Sequence, residues 1–367
     1  MNQSSFFELD APGGPAAGTD AAADAAADAA TTPAAGTPKK RRSRAAATEV
    51  PPADHSDDLR ALGADLPANI HLGTSSWAFP GWRGLVYGDD ASETLLSREG
   101  LRAYGQHPLL RSVSLDRTFY APISEAQYAT YAGQVPDGFR FVVKAPNLVT
   151  DAVLRQDKGT PTGPNPSFLD AAIATEHFVT PCLAGLGAKA GPLVFQFSPL
   201  PRDLLADPAG WVDRLEAFLA ALPPLPASDA AQQAFYAVEF RDAEVVTPRM
   251  MKMLARRDAR YCVAVHSRMP PAARQLQAEA ATGPGPLVVR WNLLAGQRYE
   301  AAKSRFKPFD RMVVPDPETR GALADAAAIA HQSGKPVWIV ANNKAEGSAP
   351  LTIEGLAREI TARRRTR

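Results

Sequence analysis

From Ile70 onward the chain repeats one unit: a short β-branched or apolar run followed by a longer amphipathic stretch. The runs are Ile70–Thr74, Ser112–Asp116, Phe139–Lys144, Leu193–Phe197, Phe235–Arg241, Tyr261–His266, Leu287–Trp291 and Pro336–Asn342. The stretches between and after them lie near Thr94–Tyr104, Ser124–Gly133, Phe168–Leu186, Pro208–Leu222, Pro248–Arg257, Ala272–Ala280, Glu318–Gln332 and Leu351–Arg363. Strand and helix alternating eight times predicts parallel strands joined by helical crossovers, either closed into a (β/α)8 TIM-type barrel or wound as an open sheet. The even count, and the lack of a Gly-rich dinucleotide turn after the first run, favour the α/β barrel.

A parallel barrel opens its βα loops at the C-terminal ends of the strands, so chemistry-bearing side chains are expected there. The sequence has them. Thr74, Ser75 and Trp77 follow the first run, Asp116 and Thr118 the second; Lys144 ends the third and Gln196 lies near the end of the fourth. Glu239 and Arg241 close the fifth, His266 the sixth, Arg290 and Asn292 the seventh, and Asn342, Asn343 and Lys344 the eighth. In Phe235–Arg241, strand geometry puts Glu239 and Arg241 on one face and Val238 and Phe240 on the other. Opposite charges on an apolar strand must be paired to be buried, which suits a structural lock in the barrel interior as well as a functional site.

Before Ile70 the texture differs. Residues 1–66 are rich in Ala, Pro, Asp, Gly and Thr, carry AAADAAADAA and then Lys39, Lys40, Arg41, Arg42 and Arg44, and read as a disordered arm preceding a barrel domain over 67–367. With 40 Lys and Arg against 39 Asp and Glu, the whole chain has no global pull toward nucleic acid or membrane. The basic cluster is one local route to nucleic acid. Cys182 and Cys262 are far apart and outside any metal-ligand spacing, so both are expected in the core of a protein from a reducing compartment. With no secretory pattern and no apolar run long enough to span a bilayer, the expected location is the cytoplasm, with no membrane partner.

The motifs GTSSWAFPGWRGLVY from Gly73, TFY from Thr118, FRFVVKAP from Phe139, LVFQFSPLP from Leu193, AVEFR from Ala237 and ANN from Ala341 together resemble the YecE-like family, domain of unknown function 72. The resemblance runs from about Ile70 to the C-terminus and implies a (β/α) barrel without implying a reaction. The recurrent family residues correspond to Gly73, Thr74, Ser75, Trp77, Trp82, Thr118, Phe119, Tyr120, Lys144, Gln196, Glu239, Arg241, Arg290 and Asn343. Ser114 and Asp116 stand where the family has Glu and Asn, Asp151 where it has a His, and Trp291 with Asn292 where it has His-Gly. These departures mark a divergent branch.

The residues narrow the chemistry. Of the six histidines only His266 ends a strand, which argues against a histidine-built zinc centre. No cofactor is predicted; Mg2+ held by Asp116, Glu239 and Asp242 is the metal arrangement the residues leave open. General acid–base chemistry is better supported, with Glu239 as base, Lys144 as acid or electrostatic partner, and Arg241 and Arg290 orienting a small anionic or phosphorylated ligand. Gln196, Thr74, Ser75, Trp77, Asp116, Thr118, Asn292, Asn342, Asn343 and Lys344 complete the expected binding set. The long stretch from Trp291 to Glu318 mixes Trp291, Tyr299, Phe306 and Phe309 with Arg298, Lys303, Arg305, Lys307 and Arg311, which suits a phosphate or nucleic acid and equally a packing flap. NNKAEGSAP leads into a helix start that is expected to attract anions, and Arg155–Pro166 reads as a mobile flap. Three classes therefore stay open: an acid–base enzyme, a nucleic-acid binder related to repair phosphodiesterases, and a barrel whose charged mouth is structural.

Overall fold

The structure, a computed structural model, describes residues 49–155, 160–225, 234–294 and 296–366. Its strands are β1 (Ile70–Thr74), β2 (Ser112–Leu115), β3 (Arg140–Lys144), β4 (Val153–Arg155), β5 (Pro161–Pro164), β6 (Ala190–Gln196), β7 (Phe235–Glu239), β8 (Arg260–Tyr261), β9 (Val263–Val265), β10 (Leu287–Trp291) and β11 (Val337–Ala341). Nine of them form one parallel sheet in the order β8-β7-β6-β3-β2-β1-β11-β10-β9. β8 and β9 are separated only by Cys262, and β8 pairs with β7 while β9 pairs with β10. They act as one stave, so the sheet curls into a nearly closed barrel of eight staves with helices between them, as expected.

Helix starts follow from local chemistry. Asp207, Thr247 and Asp316 each stand before a proline and accept a backbone N–H of the first turn, from Gly210, Met250 and Thr319 respectively. Ser92 and Ser124 cap Glu93–Tyr104 and Glu125–Ala132 in the same way.

Every barrel strand is buried on both faces, and alternate residues divide between two environments. Phe141, Val143, Leu193, Phe195 and Val238 belong to the large core shared with the helices. Val142, Val194, Ala237, Cys262, Val288, Trp338 and Val340 form a separate cluster, the apolar layer inside the barrel. Two residues further along the same staves come Lys144, Gln196, Glu239, Arg290 and Asn342, so the inward face turns polar as the strands end. Gly73 is required by close approach: a Cβ there would lie 1.9 Å from the carbonyl oxygen of Ser112 on the neighbouring strand.

The N-terminal boundary differs from expectation. Residues 1–48, with the basic cluster, lie outside the described residues, but 49–66 are ordered and contain the helix Asp57–Asp65. Ser56 caps it, Leu59 and Leu66 are buried, and Arg111 donates to the carbonyls of Gly63, Leu66 and Pro67. Leu59, Leu62 and Leu66 recur at helical spacing, a short apolar stripe overshadowed by the low-complexity sequence before it. Part of the expected flap is a hairpin of β4 and β5; residues 156–159 lie outside the described residues.

The long stretch after β10 is also more structured than expected. It contains the helix Tyr299–Phe306, and Leu293, Leu294, Ala302, Phe306 and Phe309 form a cluster against Phe79, Val313 and Val314.

Candidate functional site

Above the apolar layer sits a buried charge network. Glu239 is 0% exposed, Arg290 2%, Arg241 4%, Gln196 5% and Lys144 8%. One Glu239 carboxylate oxygen is paired with Arg241, and the other accepts from Arg290 at 2.7 Å. The second nitrogen of Arg290 donates to both oxygens of Asp116, each at 2.7 Å, a bidentate pairing across the barrel. Gln196 Oε1 accepts from Arg241 at 3.1 Å and Arg290 at 3.2 Å, and Asn292 donates to Glu239 at 3.3 Å. Ser114 donates to Asp116 at 2.6 Å.

Electrostatics follow from this pairing. Burial alone raises the Glu239 carboxyl, but the charges of Arg241 and Arg290 and the hydrogen bond from Arg290 outweigh it and hold the group at about 2. Burial lowers Arg290 in turn, and Asp116 and Glu239 more than reverse that, leaving its pKa raised. Two arginines and two carboxylates thus neutralise one another. A carboxylate ionised at about 2, with both oxygens engaged, is a poor proton acceptor near neutrality.

Lys144 is different. Its Nζ lies 3.4 Å from the centroid of the Phe119 ring and, among the described residues, makes neither hydrogen bond nor ion pair. Burial lowers its pKa first, Arg290 lowers it further, and Asp116 and Glu239 offset only part of this, so the amine titrates at about 8. A lysine in this state exchanges a proton readily near neutral pH.

These groups floor a cleft of about 530 Å3 at the C-terminal mouth. Ser75, Ser76, Ser114, Asn292 and Asn342 supply hydroxyl and amide groups to its lining, and Trp77, Phe79, Tyr120 and Tyr299 supply aromatic surface. Asn342 donates to Ser75 at 2.7 Å, and the Trp77 indole N–H is satisfied by Leu96 O at 3.0 Å.

The family model described as Protein of unknown function DUF72 matches residues 71–367 of this chain. The chain belongs to the DUF72 family. Crystal structures of two DUF72 family proteins are similar in fold. One from Enterococcus faecalis V583 aligns with a TM-score of 0.54 at 17% identity, over 79% of this chain and 95% of that one. One from Thermotoga maritima MSB8 aligns with a TM-score of 0.52 at 17% identity, over 79% of this chain and 98% of that one. No curated protein matches the chain at a significant level.

Within this DUF72 barrel, Ser75, Trp77, Asp116, Lys144, Gln196, Arg241, Arg290, Asn292 and Asn342 meet at the cleft, as expected. Glu239 lies beneath them, enclosed by its partners. Other predicted binding residues have structural roles instead. Thr74 is fully buried, with its hydroxyl bonded to Ser76 O at 2.7 Å and to Tyr104 at 2.8 Å. The Thr118 hydroxyl bonds the carbonyls of Leu115 and Lys144, tying β2 to β3. Asn343 Oδ1 accepts from Trp82 Nε1 at 3.2 Å and from Ala349 N at 2.8 Å, capping the last helix, Ala349–Thr366. Lys344 Nζ is buried 4.1 Å from the Tyr299 centroid. The turn from Asn343 to Pro350 is buried throughout, so the protein itself fills the expected anion site at this helix start.

The expected Mg2+ arrangement is also replaced by protein contacts. Asp116 and Glu239 hold arginines, while Asp242 accepts from Leu200 N at 2.8 Å and from Arg268 at 3.0 Å. Among the described residues no group of three or more His, Cys, Asp or Glu is placed to hold a metal ion. Cys182 and Cys262 are buried, and His266 accepts from Arg268 N rather than lining the cleft. No helix among the described residues is long and apolar enough to cross a membrane. Sequence reasoning left Ser114 and Phe119 outside the site. The signal for Ser114 is its position two residues before Asp116, on the same strand face; for Phe119 the signal is its place inside TFY.

Proposed function

We propose that this DUF72 protein takes a small polar anion into the cleft at the barrel mouth and that Lys144 performs acid–base chemistry on it. The observation that carries this reading is the state of Lys144: a buried amine facing a cleft, with no carboxylate partner among the described residues. Arg241 and Arg290 are balanced by Glu239 and Asp116, and the other carboxyl that acts on Lys144, Asp151, is itself pushed toward its neutral form by burial, so a protonated Lys144 is only partly compensated. Buried charge of this kind is costly until a counter-charge arrives, which favours an anionic ligand. Hydroxyls, amides and an aromatic wall suit a hydroxylated or phosphorylated molecule more than an apolar one. Glu239 then acts as the fixed anion that holds the two arginines in place, and proton transfer falls to Lys144.

Nucleic acid is less favoured. Arg298, Arg305, Lys307 and Arg311 are exposed, but Tyr299, Phe306 and Phe309, which base stacking would need, are buried.

Thermal unfolding of the wild type and of Lys144→Met, with inorganic phosphate, simple hydroxy acids and sugar phosphates, tests the reading. A ligand at about one hundred times its Kd stabilises by about 2.7 kcal/mol. The expected result is a rise in Tm at pH 7 that shrinks at pH 9.5, where Lys144 is neutral, and is absent in the variant. A rise that survives in Lys144→Met, or that is the same at both pH values, would refute it.

A further inference from the structure

We infer that Lys144 is a covalent nucleophile that condenses with the carbonyl carbon of a small aldehyde or keto acid held in the cleft. This rests on the reading of the cleft as a small-anion site and adds the reactive group of the ligand. Three features of the site favour it. Lys144 ends β3 at the floor of an open cleft, so its amine is both buried and reachable. The Phe119 ring faces Nζ at 3.4 Å where a paired carboxylate would instead hold the proton on nitrogen and keep its lone pair occupied. Arg290, held by Glu239 and Asp116, contributes a nearby cationic charge that disfavours the ammonium form. A desolvated lysine beside another cation is the setting in which the amine becomes a nucleophile toward carbonyls.

The step balances without an added oxidant or reductant. The neutral Nζ lone pair attacks the carbonyl carbon, a C–N bond forms, and the carbonyl π electrons move to oxygen, which takes a proton. Nitrogen gives up one proton to water in the cleft. The carbinolamine hydroxyl then leaves with a further proton as water, and the nitrogen lone pair closes the C=N bond. The protonated imine carries a fixed positive charge where Lys144 had a titratable one. Asp116 and Glu239, whose charges favour a cation at this position, stabilise it, and the face of Phe119 remains beneath it. Ser75, Ser76 and Asn342 in the same lining are polar groups available to the acid end of the substrate.

The test uses glyoxylate, a carboxylate with an aldehyde carbon, with sodium cyanoborohydride, followed by proteolysis and mass spectrometry of the whole chain. The expected product is carboxymethylated Lys144, formed at least about tenfold faster at pH 7 than the same adduct at the exposed Lys252 and Lys307, because burial and Arg290 disfavour the ammonium form of Lys144. Its rate should rise with pH to a plateau above about 8. Lys144→Arg keeps the cation and should remove this fast phase while leaving the labelling of Lys252 and Lys307 unchanged. Acetate, the same charge without the carbonyl, separates the two readings. If acetate and glyoxylate both raise the wild-type Tm and Lys144 is trapped no faster than Lys252, the imine is overturned and the anion site stands. If neither raises Tm and trapping is unselective, both are overturned. If Lys144 is trapped selectively while acetate has no effect, the keto-acid substrate falls with the anion reading and only attack on an aldehyde carbon stands.

Discussion

Lys144→Met should make the protein more stable at neutral pH while removing ligand response. The amine falls from its ordinary 10.5 to about 8 because burial and Arg290 penalise the ammonium. At about 1.4 kcal/mol per pH unit, keeping it charged in the folded state costs about 3 kcal/mol. The sign follows from proton counts. Between about 8 and 10.5 the unfolded chain holds a proton that the folded protein has released, so wild-type stability rises with pH across that window. Below about 8 the full cost is present, and above 10.5 it has gone. Methionine has a similar length and no charge, and it can lie against Phe119. Urea unfolding of the two proteins at pH 7 should therefore show Lys144→Met ahead by about 3 kcal/mol, with the gap closing as pH approaches 10.5. Lys144→Arg, which keeps the charge, should show no such gain. A less stable Lys144→Met at pH 7, or a gain that does not change with pH, would refute the view that a partnerless buried ammonium is held there at a cost to stability.

Two other substitutions separate the parts of the mouth. Glu239→Gln preserves shape but leaves Arg241 and Arg290 without their shared anion, and should cost about 3–5 kcal/mol in urea unfolding at pH 7. Because Glu239 is depressed from 4.5 to about 2, its contribution is complete above 4.5 and is lost as pH falls through about 2, so the variant should also show a flatter acid limb; equal stability and equal acid slopes would remove the network from the account. Asn343→Ala deletes the acceptor for Ala349 N and Trp82 Nε1 and should cost about 1–2 kcal/mol by thermal or urea unfolding, with ligand response intact; loss of that response without loss of stability would return Asn343 to the binding set.

The barrel was legible because hydrophobic alternation and element spacing are local properties. β1 and β10 begin and end where their runs of residues do, and every other barrel stave overlaps its run. Which strand-end residues reach the cleft was harder to read. In a sheet buried on both faces, inward and outward positions are equally apolar, so the pattern does not say which parity faces the barrel axis. Thr74 and Ser75 are consecutive and similar in type, yet one bonds Tyr104 and the other lines the cleft. Asn342 and Asn343 divide in the same way, between the cleft lining and the cap of the last helix.

Roles within the charged layer depend on a longer range still. The pairing of Glu239 with Arg241 is written two residues apart, and the strand's period is enough to predict it. What changes Glu239 from a candidate base into a fixed anion is Arg290, which is 51 residues away and is itself held by Asp116 at a separation of 174. Those contacts exist only because β7 and β10 flank the broken stave β8/β9 while β2 faces them across the ring. Once the two carboxylates are committed to arginines they offset only part of the penalty on Lys144, and the same closure that buries its amine lowers its pKa. Reactivity at this mouth is therefore a property of charge allocation around the ring: moving either carboxylate from an arginine to Lys144 would raise the amine toward its ordinary range and leave the site a salt-bridge plug.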